Sequence, residues 1–250
     1  MLEGVELPGP IDAALMGYSG DGTNRRTGSE ASVFLFTRPG APSLFLKISS
    51  SQRDAALVDE RDRMVWLQGK LPVPRVVAYQ RQGETEYLLT EQVPGTAAHH
   101  WGQQGDKAQL VQVLAQGLQS IHAIDWADCP FDCRKEALLA RLRQRLAAGQ
   151  VEGGAEVLAE LEAGQPAVED LVFTHGDYCL PNILIHRGGL GGFIDWGFAG
   201  VGDRYRDLAL GSWSVGHNLG EEWIEPFFDA CGVEEIDREK IAFYGNGEIG

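Results

Sequence analysis

One stretch constrains this chain more than any other. The run Leu171-Val172-Phe173-Thr174-His175-Gly176-Asp177 ends an apolar segment on an acid, and Asn182 follows after Tyr178-Cys179-Leu180-Pro181. Ile183-Leu184-Ile185 then repeats the apolar pattern, and Gly192-Phe193-Ile194 delivers a second acid, Asp195. Short runs of branched and aromatic residues bounded by Gly and Pro read as strands. The polar residues therefore sit in a loop between paired strands and at the end of the next strand. Two carboxylates and an amide are predicted to converge there. Hard Mg²⁺ takes oxygen ligands and keeps waters, so one Asp, one Asn oxygen and phosphate oxygens make a natural set. The second carboxylate, Asp177, suits reception of a hydroxyl proton, and the pattern fits kinase-type phosphoryl transfer. A single Asp after a strand is more often a turn or cap residue. The joint pattern is what separates the two readings, and it casts His175 as a loop organiser.

The first half carries complementary charges. Leu44-Phe45-Leu46-Lys47-Ile48 is an apolar strand with one Lys inside it, and an unpaired buried Lys is costly. Residues 55–69 read as a helix with Leu57, Glu60, Met64 and Leu67 on one face. Glu60 thus lies on an apolar stripe and also needs a partner. Lys47 and Glu60 answer each other, as the pair that holds nucleotide phosphates in a kinase does. The plainer alternative is a surface Lys and a solvated Glu at the stripe edge. Thr27-Gly28-Ser29 precedes this strand, and a Gly-Ser turn there can aim N–H groups and a hydroxyl at phosphate. No G-x-x-x-x-G-K-[ST] occurs, and no G-x-G-x-x-G opens a helix, which argues against P-loop and dinucleotide-binding folds.

These residues resemble the aminoglycoside phosphotransferases, most closely the 3′-hydroxyl branch that acts on kanamycin-type drugs. The blocks that carry the resemblance are 174–182, Gly192-Phe193-Ile194-Asp195-Trp196-Gly197 and 200–210. Asp59-Glu60-Arg61-Asp62-Arg63, Val93-Pro94-Gly95, Cys129-Pro130-Phe131-Asp132 and Ile241-Ala242-Phe243-Tyr244 add to it in the same order. The resemblance implies an α+β, two-lobed protein-kinase-like fold with a small β-rich N-lobe and a larger, mainly helical C-lobe. It implies ATP and Mg²⁺ in the cleft between lobes, transfer of the γ-phosphate to an aminoglycoside hydroxyl, antibiotic resistance and a cytoplasmic location. Under it Asp177 is the catalytic Asp, and Asn182 and Asp195 are the metal ligands. Lys47 with Glu60 anchors phosphates, Ser29 is the phosphate-loop serine, and Thr90 to Gln92 is the hinge whose backbone meets adenine. Arg204 and Asp207 support the catalytic loop, with Arg204 near substrate.

The chain departs from the family pattern in three places. Where relatives carry an acid-rich insertion, the stretch 147–156 holds two acids, Glu152 and Glu156. The C-terminal end Gly245-Asn246-Gly247-Glu248-Ile249-Gly250 is glycine-rich, which opposes a helix, and keeps Glu248. Phe198 follows the Asp-x-Gly where many relatives have Arg. Glu152, Glu156, Arg204 and Glu248 are the candidate acceptor contacts. A related kinase for another alcohol, such as a macrolide, choline or an amino-sugar metabolite, stays open beside the aminoglycoside reading. So does a nucleotide-binding module without turnover.

Organisation follows from the punctuation. Residues 1–92 read as the nucleotide-binding lobe, with Val93-Pro94-Gly95 just past its hinge. Residues 93–250 read as the catalytic and substrate-binding lobe, with helices at 108–122, 134–148 and 155–163. Helices are also expected after Asp207, where Trp213, Trp223, Phe227 and Phe228 are assigned to the core. The formal net charge of −15 makes nucleic acid a poor partner and a polycationic alcohol a good one. The four cysteines fit no zinc spacing and read as reduced thiols. Met1-Leu2-Glu3-Gly4-Val5-Glu6 is not a signal peptide, and no apolar run reaches membrane length. A monomer or dimer is expected.

Overall fold

The structure is a computed structural model that describes residues 6–24, 31–50, 56–103, 105–149 and 154–246. The architecture is α+β, an antiparallel sheet followed by a mainly helical part. By contact density the chain divides into two compact units, Met1–Pro94 and Gly95–Gly250.

In the first unit, helix α1 (Gly9–Ala14) precedes strands β1 (Ser19–Gly20), β2 (Ser32–Thr37) and β3 (Leu44–Ser50). Helix α2 (Leu57–Leu67) and strands β4 (Val76–Gln82) and β5 (Thr85–Glu91) complete it. The antiparallel sheet runs β1-β2-β3-β5-β4. The β2–β3 turn passes through Gly40 at φ 75°, a conformation that glycine adopts without a Cβ penalty. Ser19-Gly20 forms a short edge strand against Phe36 and Thr37.

Side chains alternate across the sheet. Leu44, Leu46, Tyr87 and Leu89 join Ile11, Leu15 and Phe36 in one buried cluster. Lys47, opposite Leu88, points to the other face, which α2 covers. Leu57, Glu60, Met64 and Leu67 are all buried, as the stripe requires. Helix α2 has no capping side chain of its own. Instead the buried Glu86 of β5 accepts from the Leu57 N–H at 2.7 Å and from the Tyr79 hydroxyl at 2.6 Å. An acid at a helix N-terminus offsets the unpaired N–H groups and the dipole. Burial, then the Glu86 contact, pushes the Tyr79 phenol up to about 12.

The second unit opens with β6 (Thr96–Ala97), α3 (Ala98–Gly102), α4 (Lys107–His122), α5 (Lys135–Ala147) and α6 (Gly154–Ala163). It continues through β7 (Leu171–Thr174), β8 (Ile183–His186), β9 (Gly189–Phe193) and β10 (Gly200–Asp203). Helices α7 (Tyr205–Leu219), α8 (Ile224–Cys231) and α9 (Arg238–Tyr244) follow. Asp106 caps α4 by accepting from the N–H groups of Ala108 and Gln109. Leu110, Val111, Leu114, Leu118 and Ile121 form its buried stripe.

Two expectations need correction. The strands flanking the Asp177 loop do not pair with each other. Strand β7 pairs with β10, while β8 sits between β6 and β9. Six residues after Thr174, the end of β7, the chain enters a 3₁₀ segment, Leu180–Asn182, instead of a hairpin, and β7 takes a different partner. Trp213 is not core either, since 62% of it is exposed. The buried face of α7 runs through Asp207, Leu208, Gly211, Ser214 and Val215, and Trp213 falls outside that stripe. Trp213 stacks on His217, one turn further on, with ring centroids 5.4 Å apart. Phe227 and Phe228 are buried and Trp223 is half-buried.

Candidate active site

Strand β7 ends at Thr174, and the loop that follows is held from several sides. The buried Asp207 of α7 accepts from the His175 N–H at 2.9 Å and the Gly176 N–H at 2.8 Å. His122, at the end of α4, brings Nε2 to within 3.0 Å of the same carboxylate. Burial alone would push the Asp207 carboxyl up. The hydrogen bond and charge of His122, with His175 and the Gly176 N–H, hold it below its ordinary 3.8.

His175 is fully buried and lies against Trp196, with ring centroids 4.3 Å apart. Its Nδ1 accepts from the Asp177 N–H at 3.3 Å, which leaves Nε2 to donate to the Ile194 carbonyl at 3.0 Å. That pairing defines the neutral Nε2–H tautomer. Burial holds its pKa below the ordinary 6.5, against the pull of Asp207, Asp177 and Asp195. His175 is thus an organiser that ties the Asp177 loop to the residue before Asp195.

Asp177 is half-buried and its carboxylate is held at both oxygens. Asn182 Nδ2 donates to Oδ2 at 2.7 Å and to the Asp177 carbonyl at 3.0 Å. The Cys179 thiol approaches Oδ1 at 3.3 Å, and burial followed by that carboxylate raises the thiol pKa. The Ile194 N–H donates to the Asn182 carbonyl at 3.0 Å. Asn182 is thus joined to Asp177 through its side-chain amide, and through its carbonyl to the residue before Asp195. Asp195 holds φ 64°, a left-handed conformation that non-glycine residues rarely adopt and that clusters at functional sites.

The donor set fits a hard divalent cation. With Nδ2 turned to Asp177, Asn182 Oδ1 is the amide atom without a protein donor among the described residues. Asp195 adds a half-buried carboxylate. One amide and one carboxylate oxygen leave room for waters and phosphate oxygens.

In the first unit Lys47 Nζ lies 2.7 Å from Glu60 Oε1, with side chains 20% and 9% exposed. Thr90 is buried in β5 opposite Phe45 and Val76. The N–H of Gln92 donates to the Ser43 carbonyl at 2.9 Å, so that donor is engaged within its own unit. Ser29, Glu152 and Glu248 lie outside the described residues. Glu156 is exposed on α6. Arg204 Nε lies 2.7 Å from Asp170 Oδ2 but is not aligned for a hydrogen bond, so the contact is a charge pair.

Three contacts around these residues escaped the sequence. His122, Cys179 and Arg206 gain their roles from partners that lie across a fold or a turn. The one available signal was the position of Arg206 in the first turn of α7, which is buried all round.

A β-sheet unit with a Lys–Glu pair and a helical unit with an Asp–Asn–Asp set define a kinase-like phosphotransferase fold. The sequence matches the phosphotransferase enzyme family (APH) over residues 21–244, and the chain belongs to that family. It is 35% identical over 217 residues to an aminoglycoside 3′-phosphotransferase of Niallia circulans, covering 82% of each chain. The crystal structure of a type VIII aminoglycoside-3′-phosphotransferase matches with a TM-score of 0.81 at 29% identity, covering 97% of this chain and 100% of that one. APH(3″)-Id of Streptomyces rimosus, solved with ADP and streptomycin, matches with a TM-score of 0.74 at 26% identity, over 96% and 93% of the chains.

Proposed function

We propose that this protein transfers the γ-phosphoryl group of ATP to a hydroxyl of an aminoglycoside, on the 3′ branch, and so confers resistance. The observation that carries the reading is the Asp177 carboxylate, anchored at Oδ2 by Asn182 and met at Oδ1 by the weak thiol donor of Cys179; an acceptor hydroxyl would bind at Oδ1. Asp177 would orient that hydroxyl and take its proton as the oxygen bonds to phosphorus. The bond from phosphorus to the bridging oxygen breaks, and ADP leaves. The transition state is loose, so positioning outweighs proton abstraction. Asn182 Oδ1 and Asp195 would hold Mg²⁺, which supplies charge compensation on the phosphate oxygens. Lys47, oriented by Glu60, would hold the α- and β-phosphates. None of the described helices is long and apolar enough to cross a membrane.

The acid-poor stretch 147–156 favours a second reading, a kinase of the same family for another alcohol. ADP release in a coupled assay, over kanamycin-type drugs, streptomycin, a macrolide and choline, separates the two. Release with kanamycin-type drugs supports the first reading, and release only with another alcohol replaces it. Mg·ATP binding without release on any acceptor would leave a module without turnover.

A further inference from the structure

Arg206 stands out as a cation that electrostatics alone would not place where it is. It is 2% exposed and lies in the first turn of α7, the end of a helix that disfavours positive charge. No carboxylate among the described residues lies within ion-pair distance of it. A buried charge of this kind is retained against a desolvation cost.

Its donors show what it holds. Nη1 donates to the Thr174 hydroxyl at 2.8 Å. Nη1 and Nη2 both reach the Phe198 carbonyl at 3.4 Å. Thr174 ends β7, just before the Asp177 loop, and Phe198 lies just past Asp195-Trp196-Gly197. The Thr174 hydroxyl in turn donates to the Gly200 carbonyl at 2.9 Å, so it is engaged both as acceptor and as donor. The two loops meet here almost backbone to backbone. A Cβ on Gly176 would come within 2.3 Å of the Phe198 carbonyl oxygen and 2.9 Å of Arg206 Nη2. The next residue, Asp207, grips the amides of His175 and Gly176.

We propose that Arg206 is a positioning residue for phosphoryl transfer: a strut that sets the spacing between the Asp177 loop and the Asp195 loop. This rests on the functional reading above. A guanidinium suits the task because its planar fork reaches two acceptors at once, which a lysine ammonium on a flexible stem does not reproduce. A displacement of about 1 Å between reacting groups can cost about a hundredfold in rate, so a partly relaxed strut is expected to cost about tenfold.

The test compares Arg206→Met and Arg206→Lys with Thr174→Val and Thr174→Ser. Thr174→Val is the gentler change, kept in case the Arg206 variants fail to fold. On an acceptor that the wild type phosphorylates, Arg206→Met and Thr174→Val should lower kcat about tenfold and raise the Mg²⁺ needed for half activation. The acceptor KM should stay within about twofold, because the strut touches no substrate. Lysine should not rescue, and serine, which keeps the hydroxyl, should. In ligand-free protein, amide exchange across 174–178 and 195–199 should quicken in Thr174→Val more than in α4. Wild-type kcat, Mg²⁺ response and exchange in a folded variant would overturn the proposal and leave Arg206 as fold stabilisation only. If the wild type phosphorylates nothing, the functional reading fails separately. The exchange measurement then still decides whether the strut exists.

Discussion

Asn182 turns its amide nitrogen onto the carboxylate of Asp177, 2.7 Å from Oδ2, and onto that residue's carbonyl at 3.0 Å. One side chain thereby fixes the proposed proton acceptor and leaves its own oxygen for the proposed cation. Asp177→Asn should lower kcat by about 10²–10⁴-fold while Mg·ADP binding persists, since a positioned acid–base group contributes that much. Asn182→Ala should lower kcat and also weaken the Mg²⁺ response. Titration calorimetry with Mg·ADP beside steady-state kinetics distinguishes the two patterns. Wild-type turnover in Asp177→Asn would remove its assigned role.

The Lys47–Glu60 pair is mostly withdrawn from water, at 20% and 9% side-chain exposure. Removing one partner leaves the other charge partly desolvated, so Glu60→Gln should cost ~1–3 kcal/mol of stability. Lys47→Met should instead raise the KM for ATP, with a smaller effect on acceptor KM. Thermal unfolding and ATP titration read the two effects separately.

Acid should destabilise the fold in two stages. His175 and Asp207 both have folded pKa values below the ordinary ones, 6.5 and 3.8. In each case the unfolded chain takes up the proton first, so stability falls as pH falls. The His175 contribution is complete above its ordinary value and is lost below it. The Asp207 contribution is lost only as pH drops through the ordinary carboxylate range toward its lower folded value. Tm measured from about pH 8 to about pH 5 should fall less steeply in His175→Gln than in wild type, because histidine is the group that titrates in that interval. Parallel slopes would show that His175 is not the group responsible.

Trp213 is 62% exposed and stacks along its own helix, on His217. Trp213→Ala should therefore shift stability by no more than ~0.5 kcal/mol, the range of ordinary surface changes. Phe227→Ala, at a fully buried site, should cost ~3–5 kcal/mol. Denaturant midpoints on the two variants check the contrast, and a large loss in Trp213→Ala would return that residue to the core.

Much of this was legible along the chain. The stripe of Leu57, Glu60, Met64 and Leu67 foretold a helix that buries a carboxylate, and the lone Lys47 in an apolar strand foretold its partner. The α4 face and the order of strands around Asp177 and Asp195 were also readable. Strand partnership was not, because β7 and β8 present similar apolar runs and either could pair with the other. The exposure of Trp213 follows from its angular position on α7, off the stripe through Asp207, Gly211 and Ser214, which aromatic character alone does not reveal.

The sequence by itself determined the elements and the charged residues within them, since periodicity and spacing depend on near neighbours. Tertiary structure alone decided which distant groups complete the site. His122 meets Asp207 across 85 positions, and Arg206 meets Thr174 across 32. Such partners depend on how helices α4 and α7 lie against β7, and on the burial that makes a charge in a low-dielectric interior require them.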